Sequence, residues 1–198
     1  MPPCAWGLPV LRTSSKPIWI GSIVLLVAGA GLWYFNKDVA PDLAPFFPTP
    51  MNVVDRMLRM AEVQPADVVY DLGAGDGRIV IQAAERFGAQ GVGVEYDPPV
   101  AQLAIDSVKK RGLEEKVKII VGDATKVDVS PATVVTIYLL PETIVLLKPN
   151  LDNQLAPGVR VVTHNTPMAG WKTVRTETMD DGTGRQHTLY LYEIGKQY

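Results

Sequence analysis

A glycine-rich run between an apolar strand pattern and an amphipathic helix pattern restricts the fold of this chain more than any other feature. The run DLGAGDGR (71–78) begins in the last two residues of the apolar stretch 67–72 and precedes apolar residues at helical spacing over 79–87. Glycines in such a loop accept positive φ and let a ligand approach the backbone closely. Glu95 lies 20 residues beyond Gly75, at the end of a second apolar stretch. This arrangement predicts a nucleotide-binding strand–loop–helix unit in which the Glu95 carboxylate accepts the ribose hydroxyls.

Residues 49–198 continue this alternation of apolar strand patterns and amphipathic helix patterns. Thr49 and Pro50 are typical of a helix N-cap and a first-turn proline. Strands are predicted at 67–72, 91–95, 117–121, 133–139 and 158–163, and further helices at 79–87, 100–108 and 141–147. Continuously apolar strands between helices indicate a parallel sheet covered on both faces. The stretches 171–178 and 186–194 alternate like strands around the turn DDGTG, so we expect the sheet to close with an antiparallel hairpin.

The charges around the glycine run indicate which nucleotide it binds. A dinucleotide loop has the pattern Gly-x-Gly-x-x-Gly, but Arg78 stands at the third glycine position. Asp71 and Asp76 place two carboxylates at the loop, where they would repel a pyrophosphate and attract an ammonium or a sulfonium. S-adenosylmethionine (SAM) carries both cations and NAD carries a pyrophosphate, so the sequence predicts SAM as the cofactor. The alternative, a plain tight turn with Asp71 as a solvated cap, does not require a paired distal acid.

Composition excludes several classes of protein. Lys and Arg total 19 against 21 Asp and Glu, a net charge of −2, which excludes nucleic-acid binding through bulk positive charge. The single cysteine, Cys4, excludes an internal disulfide framework and a cysteine zinc site. The two histidines, His164 and His187, are too few for a histidine metal cluster, so no metal site is expected. A structural role is expected for both of them.

An uncharged apolar segment, Ile18–Phe35, precedes the domain. Its 18 residues would form a helix of roughly 27 Å, close to the ~30 Å hydrocarbon core of a bilayer, with Trp19 and Trp33 near its ends. A transmembrane helix is therefore predicted, with a cleavable signal peptide ending near Ala28–Ala30 and a buried core helix as the alternatives. The predicted organisation is an N-terminal flank (1–17), the transmembrane helix (18–35), a proline-rich tether (36–48) and the folded domain (49–198).

Several motifs together resemble one known family. The run 71–77 with Glu95 matches the SAM-binding signature of class I, seven-strand methyltransferases. With the segments PTP (48–50), YLLP (138–141) and GVRVV (158–162), the chain resembles the small protein-lysine methyltransferases of the ATP synthase c subunit and the adenine nucleotide translocase, and their prokaryotic relatives. The resemblance covers about residues 48–175. It implies a Rossmann-like seven-strand α/β sheet with a C-terminal antiparallel hairpin.

The resemblance also implies roles for individual residues. Asp71, Gly73 and Gly75 should surround the methionine part of SAM and Glu95 its ribose. Asp123 and Ala124 should meet the adenine, and Thr49 should close over the cofactor. Relatives that methylate adenine or glutamine end the fourth strand with Asn/Asp-Pro-Pro-aromatic. This chain has the segment 137–141 there, without that polar residue, which argues against nucleobase and glutamine substrates.

Methyl transfer to lysine requires a neutral amine, whose reference pKa is about 10.4. We predict that Tyr138, at the carboxyl end of the fourth strand, holds this amine by its hydroxyl or its ring face. Glu142 is predicted to accept the proton, directly or through water. The alternatives are a core aromatic for Tyr138 and an ordinary acidic residue in the first helical turn for Glu142.

The predicted function is SAM-dependent methylation of a lysine on a membrane-associated protein, with no nucleic-acid partner. The alternatives are a methyltransferase of a small or lipid-soluble molecule and a non-catalytic SAM-binding module. The predicted location is a single-pass membrane protein with its domain on the cytosolic or matrix side, where SAM is available. Arg12 and Lys16 would favour the opposite orientation.

Overall fold

Residues 47–198 are described by a computed structural model, and the helices and strands in them alternate as predicted. In chain order they are α1 (Met51–Met60), β1 (Val68–Leu72), α2 (Arg78–Phe87), β2 (Gln90–Glu95), α3 (Pro98–Lys110), β3 (Val117–Val121), β4 (Val134–Ile137), α4 (Pro141–Gln154), β5 (Arg160–His164), β6 (Arg175–Asp180) and β7 (Gln186–Glu193). The predicted flank, transmembrane helix and most of the tether lie outside the described residues. Within 47–198, no helix combines the length and apolar character that a membrane span needs.

The seven strands form one mixed sheet in the order β3-β2-β1-β4-β5-β7-β6. The first five strands in this order pair in parallel, whereas β7 runs antiparallel to both β5 and β6. The predicted α/β sheet with a closing hairpin is therefore confirmed. The strand order reverses between β1 and β4, so a crevice opens at the carboxyl ends of these two strands. Ligands of open α/β sheets bind at such reversal points.

Helices cover both faces of the sheet, which explains why its strands are continuously apolar. On one face, Val69, Val134 and Val162 are fully buried against the apolar sides of α1 and α2. On the other face, neighbouring strand residues such as Val135 and Val161 are buried against α4. The two apolar layers hold β1 and β4 rigidly, and these strands carry the candidate site.

Several element boundaries differ from the prediction, most clearly those of α4, β4 and β6. The helix expected at 141–147 continues to Gln154, although Pro149 lies inside it. Pro149 is exposed, so water can satisfy the carbonyl group that the missing N–H leaves unbonded. Strand β4 ends at Ile137, two residues before the expected end, and Tyr138 therefore lies just beyond the strand.

Strand β6 begins at Arg175 and not at Trp171, because the Trp171 side chain anchors the preceding loop. Its indole Nε1 donates to Asp152 Oδ1 at 3.0 Å, and its ring meets the Tyr192 ring edge-on with centroids 5.6 Å apart. The apolar alternation that suggested a strand here reflects packing of this loop against α4 and β7.

Candidate functional site

The glycine loop leaves β1 and enters α2 through three residues with positive φ. Gly73, Gly75 and Gly77 have φ values of 87°, 56° and 76°, in the region that favours glycine. A Cβ atom on Gly73 would lie 2.6 Å from the Leu139 side chain, so the segment after β4 packs directly on the loop. The three positive φ values explain why glycine stands at these positions. The close approach of a ligand to their backbone stays a prediction.

Glu95, at the end of the neighbouring strand β2, is hydrogen-bonded to the glycine loop. Its Oε2 accepts a hydrogen bond from the Gly75 N–H at 2.8 Å, and its Oε1 accepts one from the Asp97 N–H at 3.0 Å. A carboxylate has about four lone-pair positions, so two remain for ribose hydroxyls. The sequence predicted the ribose role of Glu95 but not its second role in fixing the loop. The ribose contact stays a prediction.

Asp71 is a buried carboxylate at the point where the strand order reverses. Its Oδ1 accepts a hydrogen bond from Thr136 Oγ1 of β4 at 2.7 Å. Burial raises the pKa of Asp71 from 3.8 to about 7, and the charges of Glu95 and Asp76 act in the same direction, against the Thr136 hydrogen bond. A cation bound nearby would favour the ionised form and recover this electrostatic cost. Asp71 is therefore suited to a cationic ligand, as the charge argument predicted.

The sequence suggested that Asp76, like Asp71, attracts a cationic ligand, but the structure gives Asp76 a partner of its own. It forms an ion pair with Arg78, with 2.6 Å between Asp76 Oδ2 and Arg78 Nη2 and 2.9 Å between Oδ1 and Nε. Burial opposes ionisation of Asp76, but the Arg78 hydrogen bonds outweigh it and hold the pKa of Asp76 below its usual range. The expectation that both Asp71 and Asp76 repel a pyrophosphate is therefore wrong for Asp76, because Arg78 neutralises it.

Thr49 is not the N-cap of α1. The helix begins at Met51 after Pro50, and no side chain caps it. The Thr49 carbonyl accepts a hydrogen bond from Arg78 Nη1 at 2.8 Å, and its Oγ1 lies 3.4 Å from His164 Nδ1. Thr49 thus lies between the glycine loop and the end of β5. Its predicted contact with the cofactor remains a prediction.

Asp123 and Ala124 follow β3 at the same edge of the sheet as Glu95. The Gly122 N–H donates to the Glu95 carbonyl at 2.8 Å, which keeps this loop beside the end of β2. The Asp123 carboxylate accepts from the Thr125 N–H at 2.9 Å and pairs with Lys126 at 3.0 Å. The adenine role of this pair stays a prediction.

Tyr138 lines a cleft of about 310 Å³ at the carboxyl ends of β4 and β5. Its ring packs on the imidazole of His164, with centroids 4.0 Å apart. The cleft is lined by Phe47, Tyr138, Asn165, Arg185, Gln186 and His187. Glu142 is exposed in the first turn of α4 and does not line this cleft. Its role as proton acceptor stays a prediction.

His164 and His187 contact each other, which sequence reasoning did not anticipate. His164 is fully buried, and its Nε2 lies 2.7 Å from His187 Nδ1. His187 Nε2 lies 3.2 Å from Asp181 Oδ2. Burial, followed by the neighbouring His187, lowers the pKa of His164 to about 4, so His164 is neutral at physiological pH. No local pattern signals this contact, because it depends on the long-range pairing of β5 with β7.

Comparison with known proteins identifies the kind of site. Residues 71–175 match the family model described as the ANTKMT methyltransferase domain. A protein-lysine N-methyltransferase of Saccharolobus islandicus is 44% identical, over 77% of this chain and 94% of its own length. The adenine nucleotide translocase lysine N-methyltransferase of Mus musculus is 30% identical, over 90% of this chain and 80% of its own length.

A solved structure from Salinibacter ruber is similar in sequence and in fold. It is described as an RNA methyltransferase in complex with S-adenosyl-L-homocysteine. It is 47% identical, covers 75% of this chain and 94% of its own, and superposes with a TM-score of 0.69. Its ligand is what remains of SAM after methyl transfer. SAM is thus the cofactor, as the glycine loop predicted.

Glu95→Ala should weaken SAM binding at least tenfold. The substitution removes the acceptor of the Gly75 N–H and the acceptor for the ribose, and each charge-assisted hydrogen bond contributes roughly 1.5–3 kcal/mol. Calorimetry should show similar losses for SAM and S-adenosylhomocysteine, because both contain the ribose. Glu114→Ala, at an exposed acidic position, is the control. Unchanged affinity in a folded Glu95→Ala protein would contradict this role.

Asp71→Asn should weaken binding of SAM more than binding of S-adenosylhomocysteine. The asparagine Oδ1 can still accept from Thr136, so the substitution removes charge with little change of shape. Only SAM carries the sulfonium, and only SAM should lose that attraction. Calorimetry with both ligands tests this. Equal losses would show that Asp71 acts by geometry or on the amino group that the two ligands share.

The same substitution should stabilise the ligand-free protein at neutral pH. Because the pKa of Asp71 is 3.8 unfolded and about 7 folded, the folded state holds a proton between pH 4 and 7 that the unfolded state has lost. Stability from this group is therefore lost as the pH rises through that window, on the order of a few kcal/mol in total. The melting temperature of Asp71→Asn should exceed that of the wild type by a difference that grows from pH 5 to 7 and levels off above pH 7. A pH-independent difference would contradict the assignment.

Proposed function

We propose that this chain, which belongs to the ANTKMT methyltransferase family and is a SAM-dependent methyltransferase, methylates the ε-amine of a lysine in a protein. The names of the Saccharolobus and mouse relatives support a lysine acceptor. The observation that carries the proposal is the position of Tyr138. Its ring forms one wall of the cleft at the carboxyl end of β4, beside the loop that binds the cofactor.

An aromatic wall suits the lysine side chain. The four methylene groups can pack on the Tyr138 ring, and the terminal nitrogen can meet the ring face or the hydroxyl. After β4 the chain reads Tyr138-Leu139-Leu140-Pro141, without the side-chain amide or carboxylate that holds a planar nucleobase or glutamine amide. The segment after β4 therefore favours a flexible aliphatic amine over a planar amide.

The surface at the start of α4, just beyond Tyr138, is apolar. Leu140, Val145 and Leu146, at the start of α4, are 41%, 60% and 57% exposed. The first basic residue of this helix, Lys148, pairs with Asp152 at 2.6 Å. An RNA-binding rim requires basic side chains for the phosphates. On the α4 side these residues favour a protein with apolar surface, such as a membrane-associated protein, and the basic side chain that lines the cleft, Arg185, lies on the side of the turn between β6 and β7. RNA, the substrate class in the description of the Salinibacter structure, is the competing acceptor for experiment.

In this reaction the methyl group passes directly from SAM to the amine, so the protein need not form a covalent bond with either. SAM supplies a methyl group on a sulfonium, which a neutral amine displaces in line, so that the N–C bond forms as the S–C bond breaks. The chain must align the amine, exclude water and let the ammonium lose its proton beforehand. Tyr138 would align the amine, Asp71 would hold the cationic part of the cofactor, and Glu142 is the predicted proton acceptor.

Labelling with radioactive methyl-SAM tests the acceptor. We expect the full-length protein to label lysine in a detergent-extracted membrane-protein fraction and to leave total RNA unlabelled, with the residue identified by peptide mapping. Tyr138→Phe should lower kcat about tenfold or raise KM for the acceptor, without changing SAM affinity. Tyr198→Phe, at an exposed tyrosine, is the control. Labelled RNA, or no labelled lysine, would contradict the proposal.

We further propose that Ile18–Phe35 anchors the protein in a membrane, with its domain on the cytosolic or matrix side. The apolar sequence supports anchoring, and the proline-rich stretch of 13 residues from Asp38 to Pro50 would reach roughly 40 Å at about 3.1 Å per residue. Anchoring would confine enzyme and acceptor to one thin layer and raise their effective concentration.

A truncated chain starting at Asp38 tests the anchor. It should bind SAM and methylate the detergent-extracted acceptor, but modify it much less in cells. Recovery of a mature protein that begins at Gly31 would show removal by a signal peptidase. Full cellular methylation by the truncated chain would equally contradict anchoring.

A further inference from the structure

Four side chains form a buried polar chain from the turn between β6 and β7 to the segment before α1. We call Asp181, His187, His164 and Thr49 the histidine relay. The distances are 3.2 Å from Asp181 Oδ2 to His187 Nε2, 2.7 Å from His187 Nδ1 to His164 Nε2, and 3.4 Å from His164 Nδ1 to Thr49 Oγ1. Thr49, His164 and His187 are 4%, 0% and 2% exposed. The methyl-transfer chemistry described above does not use this relay.

The acid at one end sets the direction of the hydrogen bonds. Hydrogen bonds from the Thr183 hydroxyl and N–H hold the pKa of Asp181 far below its usual range, so its carboxylate can only accept. His187 Nε2 must then carry a hydrogen. With neutral imidazoles, His187 Nδ1 accepts from His164 Nε2–H, and His164 Nδ1 accepts from the hydroxyl of Thr49.

The far end of the relay touches both halves of the candidate site. The His164 ring packs against Tyr138, which lines the cleft together with His187. The Thr49 carbonyl accepts from Arg78, the residue that follows the glycine loop. A change in the turn between β6 and β7 can therefore reach the cleft and the cofactor loop through hydrogen-bonded and stacked groups.

We propose that Asp181 is a positioning residue for methyl transfer, which fixes the tautomers of His187 and His164 and thereby orients Tyr138 and the hydroxyl of Thr49. In this arrangement the Thr49 hydroxyl donates to His164, so its oxygen offers only lone pairs to any other partner. Such a partner must be a donor, as an amine or ammonium is. The kinetic part of this inference rests on the proposed function, whereas the tautomers do not.

The turn contains a matched pair of acids for the test. Asp181 Oδ1 accepts from the Thr183 N–H, while its Oδ2 faces His187. In Asp181→Asn the Thr183 N–H keeps the amide oxygen in place, so the amide nitrogen must face His187 Nε2. Two donors cannot share that position, and both histidines must change tautomer. Asp180 instead accepts from the N–H groups of Gly182 and Gly184 and from Gln186 Nε2, and within residues 47–198 no hydrogen bond joins it to either histidine.

Nitrogen-15 NMR of the imidazoles reads the tautomers directly, and the chain has only two histidines to assign. We expect both to be neutral Nε2–H tautomers in the wild type and in Asp180→Asn. Both should become Nδ1–H tautomers in Asp181→Asn. Wild-type histidines that are doubly protonated or Nδ1–H would overturn the proposal, and so would unchanged tautomers in Asp181→Asn.

Kinetics then tests whether the relay matters for transfer. In Asp181→Asn, kcat should fall at least about tenfold while SAM affinity and melting temperature stay within error, and Asp181→Glu should recover part of kcat. A normal kcat with altered tautomers, or an equal loss in Asp180→Asn, would overturn the positioning role. If the labelled acceptor is not lysine, the proposed function fails, while the tautomers and the kcat for the true acceptor still decide this inference.

Discussion

The buried carboxylate of Asp71 is the constraint on which the rest of the site depends. It lies where the strand order reverses and accepts a hydrogen bond from Thr136 of the adjacent strand, with a pKa raised to about 7 by burial. The fold therefore carries an electrostatic cost at its centre that a cationic ligand relieves. The glycine loop follows this carboxylate directly in the chain and is held by Glu95 through the Gly75 N–H. A neutral or anionic ligand would not recover the cost of the buried charge.

A second interaction joins the cofactor loop to the cleft. Asp76 forms an ion pair with Arg78, which donates a hydrogen bond to the Thr49 carbonyl. The Thr49 hydroxyl lies within hydrogen-bonding distance of His164, and the Tyr138 ring packs on the His164 imidazole. The loop predicted to bind the methyl donor and the aromatic wall proposed for the acceptor are thus positioned by one set of contacts. Because an in-line displacement depends on the alignment of two reactants, such a shared frame is what methyl transfer requires of a protein.

The sequence predicted the parts of the site that local patterns encode. The glycine loop, Glu95 and the alternation of strands and helices follow from residues within about 30 positions of one another, and the structure has them as expected. It could not predict contacts that depend on distant pairing. His164 meets His187 only because β7 lies antiparallel beside β5. Arg78 is local to Asp76, but the Thr49 carbonyl that also binds the Arg78 guanidinium is 29 residues away in the sequence. The sequence also placed the end of α4 too early, at 147, before Pro149. A proline ends a helix only where its ring and its missing N–H cannot be accommodated, and Pro149 lies on the exposed face, where they can.

Counting the protons released on SAM binding tests the central claim, that the buried Asp71 carboxylate is matched to a cationic cofactor. Calorimetry at pH 6.5 in two buffers of different ionisation enthalpy gives this number. With a pKa of about 7 in the free protein, Asp71 is mostly protonated at this pH, and the bound sulfonium should drive the proton off. We expect release of most of one proton per SAM in the wild type and none in Asp71→Asn. No release in the wild type, or the same release in both proteins, would contradict the account.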